Sequence, residues 1–189
     1  MIKYSKLTIE TNRLVIRPLF SDDYKVWLEG YCGQEPSKSR FDEGWLETKF
    51  LTETWFLQEL KVRENLSTQD ICYMFNIFCS SDGKSIGNCD ITTHMRDDFQ
   101  YARVGYTIHN QYWGNGYATE ALKGLIRIGF EQLNFHRLEA HINLDNPASK
   151  RVSIKAGMLY ECIRKAFILE DGEWTDNEIY FINNQSWSV

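Results

Sequence analysis

Hydrophobic positions alternate or recur along most of the chain, and their spacing predicts a succession of strands and helices. Tyr101 to Ile108 alternates apolar and polar residues in the manner of a half-buried strand. From Ala118 to Leu133 apolar residues recur at the spacing of an amphipathic helix. Between these elements, Gly114 and Gly116 leave a turn with few side chains. The predicted order is therefore strand, glycine turn, helix.

The same periodicities predict further elements on both sides of this stretch. Three antiparallel strands, the last being 101–108, lead into the glycine turn, and a strand between two helices follows it. The other predicted strands cover residues 13–19, 71–79, 86–94, 137–144, 160–169 and 174–182. One further helix is predicted after Ser21-Asp22-Asp23, a second over about 43–65, and a third from Asn146-Pro147 to Ala156. Residues 30–44 are predicted to form a loop.

Composition and charge narrow the class of protein. The 189 residues are 43% hydrophobic and 14% aromatic, which predicts a single domain over 1–189 with one sizeable core. A net charge of −5 argues against a partner that is nucleic acid or an anionic membrane. The first ten residues lack the apolar core of a signal peptide, and no run reaches ~20 apolar residues, so a cytoplasmic protein is expected. Five scattered cysteines without a Cys-x-x-Cys pair predict reduced thiols.

The glycine turn is the strongest candidate for chemistry. A turn that opens a helix presents unpaired N–H groups to which the helix dipole also attracts an anion. Thr119 stands where a dinucleotide fingerprint would have its third glycine, and no Lys-Ser or Lys-Thr pair makes a nucleotide P-loop. On the pattern alone, a pyrophosphate cradle and a simple strand-to-helix connection both stay open.

Several segments around this turn resemble one enzyme family. Gln111-x-x-Gly114-x-Gly116-x-Ala118 is similar to the acetyl-CoA signature of the GNAT superfamily of N-acetyltransferases. Within it, the chain resembles the Rim-type branch, named for enzymes that acetylate the N-termini of ribosomal proteins. The segments that carry this second resemblance are Thr11 to Arg17, Tyr112 to Ala121, His136 to Ala140, Asn146 to Ser149, Lys155 to Met158 and Asp176 to Ile182.

The resemblance implies an α/β (α+β) fold with a mixed, mostly antiparallel seven-stranded sheet, split at its centre and carrying helices on both faces. It implies acetyl-CoA as co-substrate and an amide of Ile108 facing the thioester carbonyl. The pyrophosphate would lie on the amides of 111–118 and the Thr119 hydroxyl, and Asn146 would contact pantetheine. The implied cofactor-binding residues are Ile108, His109, Gln111, Trp113, Gly114, Asn115, Gly116, Tyr117, Ala118, Thr119, Asn146 and Ser149.

Catalytic residues are less clearly marked. The resemblance places Ser149 near the sulfur, where it would help the thiolate leave, although small polar residues in a first helical turn are also ordinary. Asp90 and Glu139 are candidates for the general base because strand alternation gives each a common face with a histidine. A surface salt bridge is the alternative for both. Arg103 stands where Rim-type chains often carry an acidic residue.

The resemblance implies an enzyme that moves an acetyl group from acetyl-CoA to a primary amine by direct attack on the thioester. The acceptor would be a protein N-terminus or a small amine, and the enzyme a monomer or homodimer. The alternative is a non-catalytic acyl-CoA sensor on the same fold. The four histidines show no metal-ligand spacing, so no metal is expected. Trp45, Trp55 and Phe56 are interpreted either as core or as walls of the acceptor pocket.

Overall fold

The structure, a computed structural model, describes residues 3–186. Residues 1–2 and 187–189, which the predicted single domain includes, lie outside the described residues. The strands are β1 (Ile9–Glu10), β2 (Leu14–Arg17), β3 (Cys72–Cys79), β4 (Ser85–Met95), β5 (Tyr101–Ile108), β6 (Arg137–Asn143), β7 (Leu159–Glu170) and β8 (Glu173–Asn183). The α-helices are α1 (Tyr24–Cys32), α2 (Glu53–Thr68), α3 (Tyr117–Arg127) and α4 (Pro147–Lys155). Within the described residues, no helix is long and apolar enough to span a bilayer.

One sheet contains all of these strands, in the order β1-β2-β3-β4-β5-β6-β8-β7. Every neighbouring pair is antiparallel except β5 and β6, which run parallel. The predicted mixed, mostly antiparallel sheet is therefore confirmed, with eight strands in the described chain rather than seven. The additional strand is β1, whose two residues are too few for alternation to reveal.

The sheet splits at its centre because β5 and β6 pair only at their beginnings. Tyr101 to Arg103 lie opposite Arg137 to Glu139, and no further pairs join the two strands. β6 stays paired with β8 along its length, so the second half of β5 has no strand on that side. This split creates the space in which the candidate site lies.

Helices cover both faces of the sheet, as predicted. Ala121, Leu122 and Leu125 of α3 are fully buried against one face, together with Leu14 and Ile16 of β2. Apolar burial of this kind stabilises a fold by about 25 cal/mol per Å² removed from water.

The opposite face is covered by α1 and α2. Trp27 and Phe56 form an aromatic cluster there, and Val15 of β2 packs against it. Alternate residues of β2 point to opposite faces of the sheet, so this one strand contributes side chains to the packing on both faces.

Two predicted boundaries differ from the structure. The helix expected over 43–65 begins at Glu53, because the Thr52 side chain accepts a hydrogen bond from the Trp55 N–H (3.2 Å) and caps it. Residues 43–52 contain only one 3-10 turn, at Thr48–Phe50. The helix expected to reach Leu133 ends its α-helical part at Arg127 and continues as a π-helical turn, Ile128–Gln132.

Candidate active site

A cleft of about 710 Å³ opens where the sheet splits. The end of β5 forms its floor, the first turns of α3 and α4 form two walls, and residues 39–42 cover part of it. Between β5 and α3 lies the glycine loop, residues 113–116. The size of the cleft is that of a typical small-molecule or cofactor site.

The glycine loop shapes one end of this cleft. Gly114 and Gly116 have φ values of 82° and 78°, a region that side chains disfavour. A Cβ built on Gly114 would meet no atom within 4 Å, so the backbone there faces open space. Gly116 is the N-cap of α3 and supplies no side-chain cap. The N–H groups of the first helical turn are therefore available to an anion.

Arg13 supports the loop from outside the cleft. Its Nη1 donates to the Asn115 carbonyl (3.0 Å), its guanidinium lies 4.5 Å from the Tyr117 ring centroid, and its Nε pairs with Glu120 (2.7 Å). The Asn115 amide nitrogen donates to the carbonyls of Tyr112 and Trp113. The side chain of Asn115 thus stabilises the loop and does not line the cleft. The role of Arg13 was missed because the contact spans a hundred residues of sequence.

Two basic side chains of α4 line the opposite wall. Arg151 and Lys155 are one helical turn apart and are exposed to the cleft. Neither forms an ion pair with any described residue, which leaves both available to an anionic ligand. Their four-residue spacing was the available sequence signal, but it does not show which way α4 faces.

Asn146 and Ser149 meet at the start of α4. The Asn146 Oδ1 accepts a hydrogen bond from the Ser149 N–H (3.0 Å), so Asn146 is a helix cap that also lines the cleft. Beside Ser149 lies Tyr106 of β5, whose hydroxyl is buried and lacks a partner in good hydrogen-bond geometry within residues 3–186. Burial raises the pKa of Tyr106, and the Ser149 hydroxyl acts against that rise. The sequence did not single out Tyr106.

Ile108 ends β5 at the split. The His109 N–H donates to the Ile86 carbonyl of β4 (2.9 Å), and alternation therefore turns the Ile108 N–H the other way, toward the split. The Ile108 carbonyl accepts from Trp113 Nε1 (2.7 Å), which fixes this end of the strand.

A second cavity, of about 220 Å³, lies on the other side of β5. Asp42, Thr107 and Ile108 border both the cleft and this cavity, so the two meet at the end of β5. Asp90 of β4 and His109 also line it. Ligands in the two spaces would face each other across the end of the strand.

Asp90 is the candidate base that the fold brings to this cavity. Burial raises its pKa, while a hydrogen bond from Thr92 Oγ1 (3.0 Å) and the charge of Arg103 lower it. A Cβ on Gly105 of the neighbouring strand would lie 2.5 Å from Asp90 Oδ1. The glycine therefore makes room for the carboxylate.

Glu139 of β6 lies apart from Asp90, in a network of charged side chains. Its carboxylate accepts from the Tyr101 hydroxyl (2.6 Å) and pairs with Arg137 (2.7 Å), Arg164 (3.1 Å) and His141 (2.9 Å). Burial raises its pKa, but these hydrogen bonds outweigh that effect and lower it to about 2. Glu139 borders neither cavity. These contacts indicate that the Glu139 carboxylate stabilises the fold.

The remaining expected cofactor-binding residues divide into two groups. The first group lines the cleft and consists of Trp113, Gly116, Tyr117, Ala118 and Thr119.

Gln111 and His109 instead face α1. Gln111 Nε2 donates to the Gly30 carbonyl (2.9 Å), and the His109 ring lies 4.8 Å from that of Tyr31. The three aromatics considered as acceptor walls border neither space: Phe56 is buried core, Trp45 is 63% exposed, and Trp55 stacks on Trp27.

A mixed sheet that splits beside a glycine-rich helix N-terminus is the arrangement that the resemblance implied for an acyltransferase. The chain belongs to the GNAT family, since the acetyltransferase (GNAT) domain matches residues 13–159. The resemblance inferred from the motifs is confirmed, and the protein is an N-acetyltransferase by family.

Relatives and structures agree with this assignment. The probable N-acetyltransferase YjcK of Bacillus subtilis is 34% identical over 112 residues, which span 59% of this chain and 62% of that protein. The [ribosomal protein uS5]-alanine N-acetyltransferase of Escherichia coli is 23% identical over 97% of this chain and 94% of its own. Mycobacterium smegmatis RimJ, solved in complex with CoA-disulfide, superposes with a TM-score of 0.73 at 22% identity, over 91% of this chain and 82% of that one. Rim-type enzymes are thus among its relatives.

Proposed function

We propose that this enzyme uses acetyl-CoA to acetylate a primary amine, by direct attack of the amine on the thioester. The observation that carries the proposal is the glycine loop: an uncapped helix N-terminus with open space over Gly114, at one end of a cleft of cofactor size. The CoA complex of the structurally similar RimJ supports the same choice of donor.

The residues of the cleft fit the parts of this donor. The first-turn N–H groups of α3 suit a pyrophosphate, since they combine donors with the positive end of the helix dipole. Arg151 and Lys155 suit a further phosphate, because they lie in the cleft without ion-pair partners in the described chain. Acetyl-CoA supplies a thioester whose carbonyl carbon accepts an amine.

Three side chains or backbone groups would act on the thioester. The Ile108 N–H, turned toward the split, would donate to the carbonyl oxygen as negative charge develops on it. Ser149 would donate a proton to the departing sulfur and would regain one from the attacking nitrogen, which loses a second proton as the amide forms. Tyr106, whose buried hydroxyl lies beside Ser149, would support that proton transfer.

The acceptor would occupy the second cavity, on the far side of the end of β5. Asp90 would take the proton of the entering ammonium, directly or through a water molecule, since burial raises its pKa toward the range useful for a base. Glu139 is unsuited to this step, because Arg137 and Arg164 hold its carboxylate ionised and it borders neither cavity. The acceptor class is a protein N-terminus, as in the uS5-alanine enzyme, or a small amine.

A thiol-release assay with a panel of primary amines, paired with calorimetric titration of acetyl-CoA, tests the proposal. We expect acetyl-CoA binding and amine-dependent thiol release. Asp90→Asn should lower kcat by about a hundredfold or more. Asp98→Asn, an exposed carboxylate in the β4–β5 turn, is the matched control and should behave as the wild type. Binding without turnover on any amine would refute the proposal in favour of an acyl-CoA sensor.

A further inference from the structure

A loop formed by residues 35–44 crosses the open end of the split in the sheet. β5 and β6 pair only at their beginnings, so no further sheet pairs join these two described strands where the cleft lies. Residues 39–42 of the loop line the cleft, together with the end of β5 and the first turn of α4. The 35–44 loop therefore lies over the split and borders the cleft from above.

The 35–44 loop is a compact unit held by bonds within itself. Asp42 Oδ2 accepts a hydrogen bond from the Lys38 N–H (2.8 Å), and Asp42 Oδ1 accepts one from the Gly44 N–H (3.0 Å). A Cβ built on Gly44 would lie only 2.2 Å from the Ser37 nitrogen, so the two ends of the loop pack directly against each other. We therefore expect the loop to move as one body.

Asn110 fastens this loop to the end of β5. Asn110 is 2% exposed and lies two residues beyond the last residue of the strand. Its Oδ1 accepts from the Glu35 N–H (2.7 Å), and its Nδ2 donates to the Glu35 carbonyl (2.8 Å) and to Asp42 Oδ2 (3.1 Å). Because the Asn110 side chain is buried, the β5 side is the fixed side of the loop.

An exposed ion pair fastens the loop on the other side of the cleft. Arg40 Nε and Nη2 donate to Asp145 Oδ2 and Oδ1 (2.8 and 2.6 Å), which is the bidentate arrangement. Asp145 lies between β6 and α4 and lines the cleft. The Arg40 and Asp145 side chains are 52% and 60% exposed. No other hydrogen bond or ion pair joins residues 35–44 to residues 144–155 within the described chain.

These contacts close a ring around the cleft. The ring runs from β5 through Asn110 and the 35–44 loop to the Arg40–Asp145 pair, and from Asp145 along β6 back to β5, which β6 meets at Tyr101 to Arg103. The Arg40–Asp145 pair is the weakest part of this ring, because water and salt compete for exposed charges, whereas the Asn110 bonds are buried.

We propose that the Arg40–Asp145 pair is a gate, which opens when the 35–44 loop moves away from Asp145 and lets acetyl-CoA enter and leave the cleft. This inference rests on the proposed function, which assigns the cleft to that donor. The ligand passes the same gate in both directions. Breaking the pair should therefore speed association and dissociation alike and leave the Kd nearly unchanged.

Two single variants distinguish a gate from attraction of an anionic ligand. Arg40→Gln removes a positive charge and Asp145→Asn removes a negative one, so attraction alone would change the association rate in opposite directions. A gate changes it in the same direction. We expect each variant to raise both rate constants by about threefold, which is the scale of an exposed ion pair. The double variant should show about the same increase as either single variant, because both substitutions break one contact.

Stopped-flow fluorescence measures both rate constants, since Trp113 lines the cleft. Mixing with acetyl-CoA gives association, and displacement of bound acetyl-CoA by excess CoA gives dissociation. Arg127→Gln is the matched control: it breaks an exposed ion pair with Glu131 (side chains 53% exposed) at the C-terminal end of α3, outside the cleft. This variant should keep the wild-type rate constants. Thermal unfolding checks that every variant is folded.

The outcomes separate this inference from the proposed function. Wild-type rate constants in Arg40→Gln and Asp145→Asn, or opposite changes in their association rates, would overturn the gate and leave acetyl-CoA binding intact. Faster dissociation in Arg40→Gln alone would indicate a direct contact between Arg40 and the ligand, and would also overturn the gate. Failure of the wild-type protein to bind acetyl-CoA would overturn the proposed function and the gate together.

Discussion

Replacing Gly114 by alanine separates the backbone role of the glycine loop from its ligand role. Gly114 has φ 82°, and a Cβ there would contact no atom within 4 Å. Gly172, in the turn between β7 and β8, has φ 87° and the same open surroundings, but it does not line the cleft. The two glycines are therefore matched in strain and differ in location.

The expected loss of stability is the same for both variants. Neither new methyl group meets a neighbour, so only the left-handed conformation carries a cost, about 1–2 kcal/mol for an alanine. For a domain of this size, each kcal/mol lowers Tm by about 2–4 °C. Differential scanning calorimetry of the two variants measures this shift.

Ligand affinity should distinguish them. The Gly114→Ala methyl would stand in the open space where an anion approaches the loop amides, and we expect acetyl-CoA to bind about tenfold or more weakly. Gly172→Ala should bind as the wild type does. Calorimetric titration with acetyl-CoA gives both values. Wild-type affinity in Gly114→Ala, or an equal loss in both variants, would refute the cradle assignment.

Three further predictions follow from the cleft and the sheet. Replacing both Arg151 and Lys155 by alanine should weaken the binding of CoA by about tenfold at low salt and the binding of dephospho-CoA by less. Equal losses of affinity for the two ligands in calorimetric titration would contradict phosphate recognition. Ser149→Ala should lower kcat more than acetyl-CoA affinity, and unchanged kcat would remove Ser149 from the mechanism. Glu139→Gln should lower the free energy of unfolding by about 3 kcal/mol near neutral pH, from a pKa of about 2 against 4.5 unfolded. Because a depressed carboxyl pKa stabilises the fold above the unfolded value, this deficit in denaturant titrations should fade between about pH 4.5 and pH 2, and a constant deficit would contradict the assignment.

Long periodic segments were predicted well because a buried face repeats its signal many times. β5 and α3 lie where alternation and helical spacing place them. Short elements carry too little of that signal, as β1 shows. At 43–52 the apolar spacing predicted a helix, but the capping bond at Thr52 starts α2 later.

The catalytic candidates show the limit of a one-dimensional pattern. Alternation assigns Asp90 and Glu139 each to a face of its own strand, but it carries no information about the neighbours across the sheet. The strand order gives Glu139 two arginines and a histidine, while Asp90 lies over Gly105 beside a cavity. Similar residues thus receive different environments from the fold.

The sequence by itself determined the family, the glycine turn and the place of that turn between a strand and a helix. These depend on local conformation, which glycine and periodicity encode directly. Only the tertiary structure decided which charges face the ligand spaces. The unpaired Arg151 and Lys155, the support from Arg13 and the second cavity all depend on contacts between distant segments. The sequence therefore predicted an anion site at the glycine loop, whereas the cavity proposed for the acceptor depends on how β4, β5 and α1 pack together.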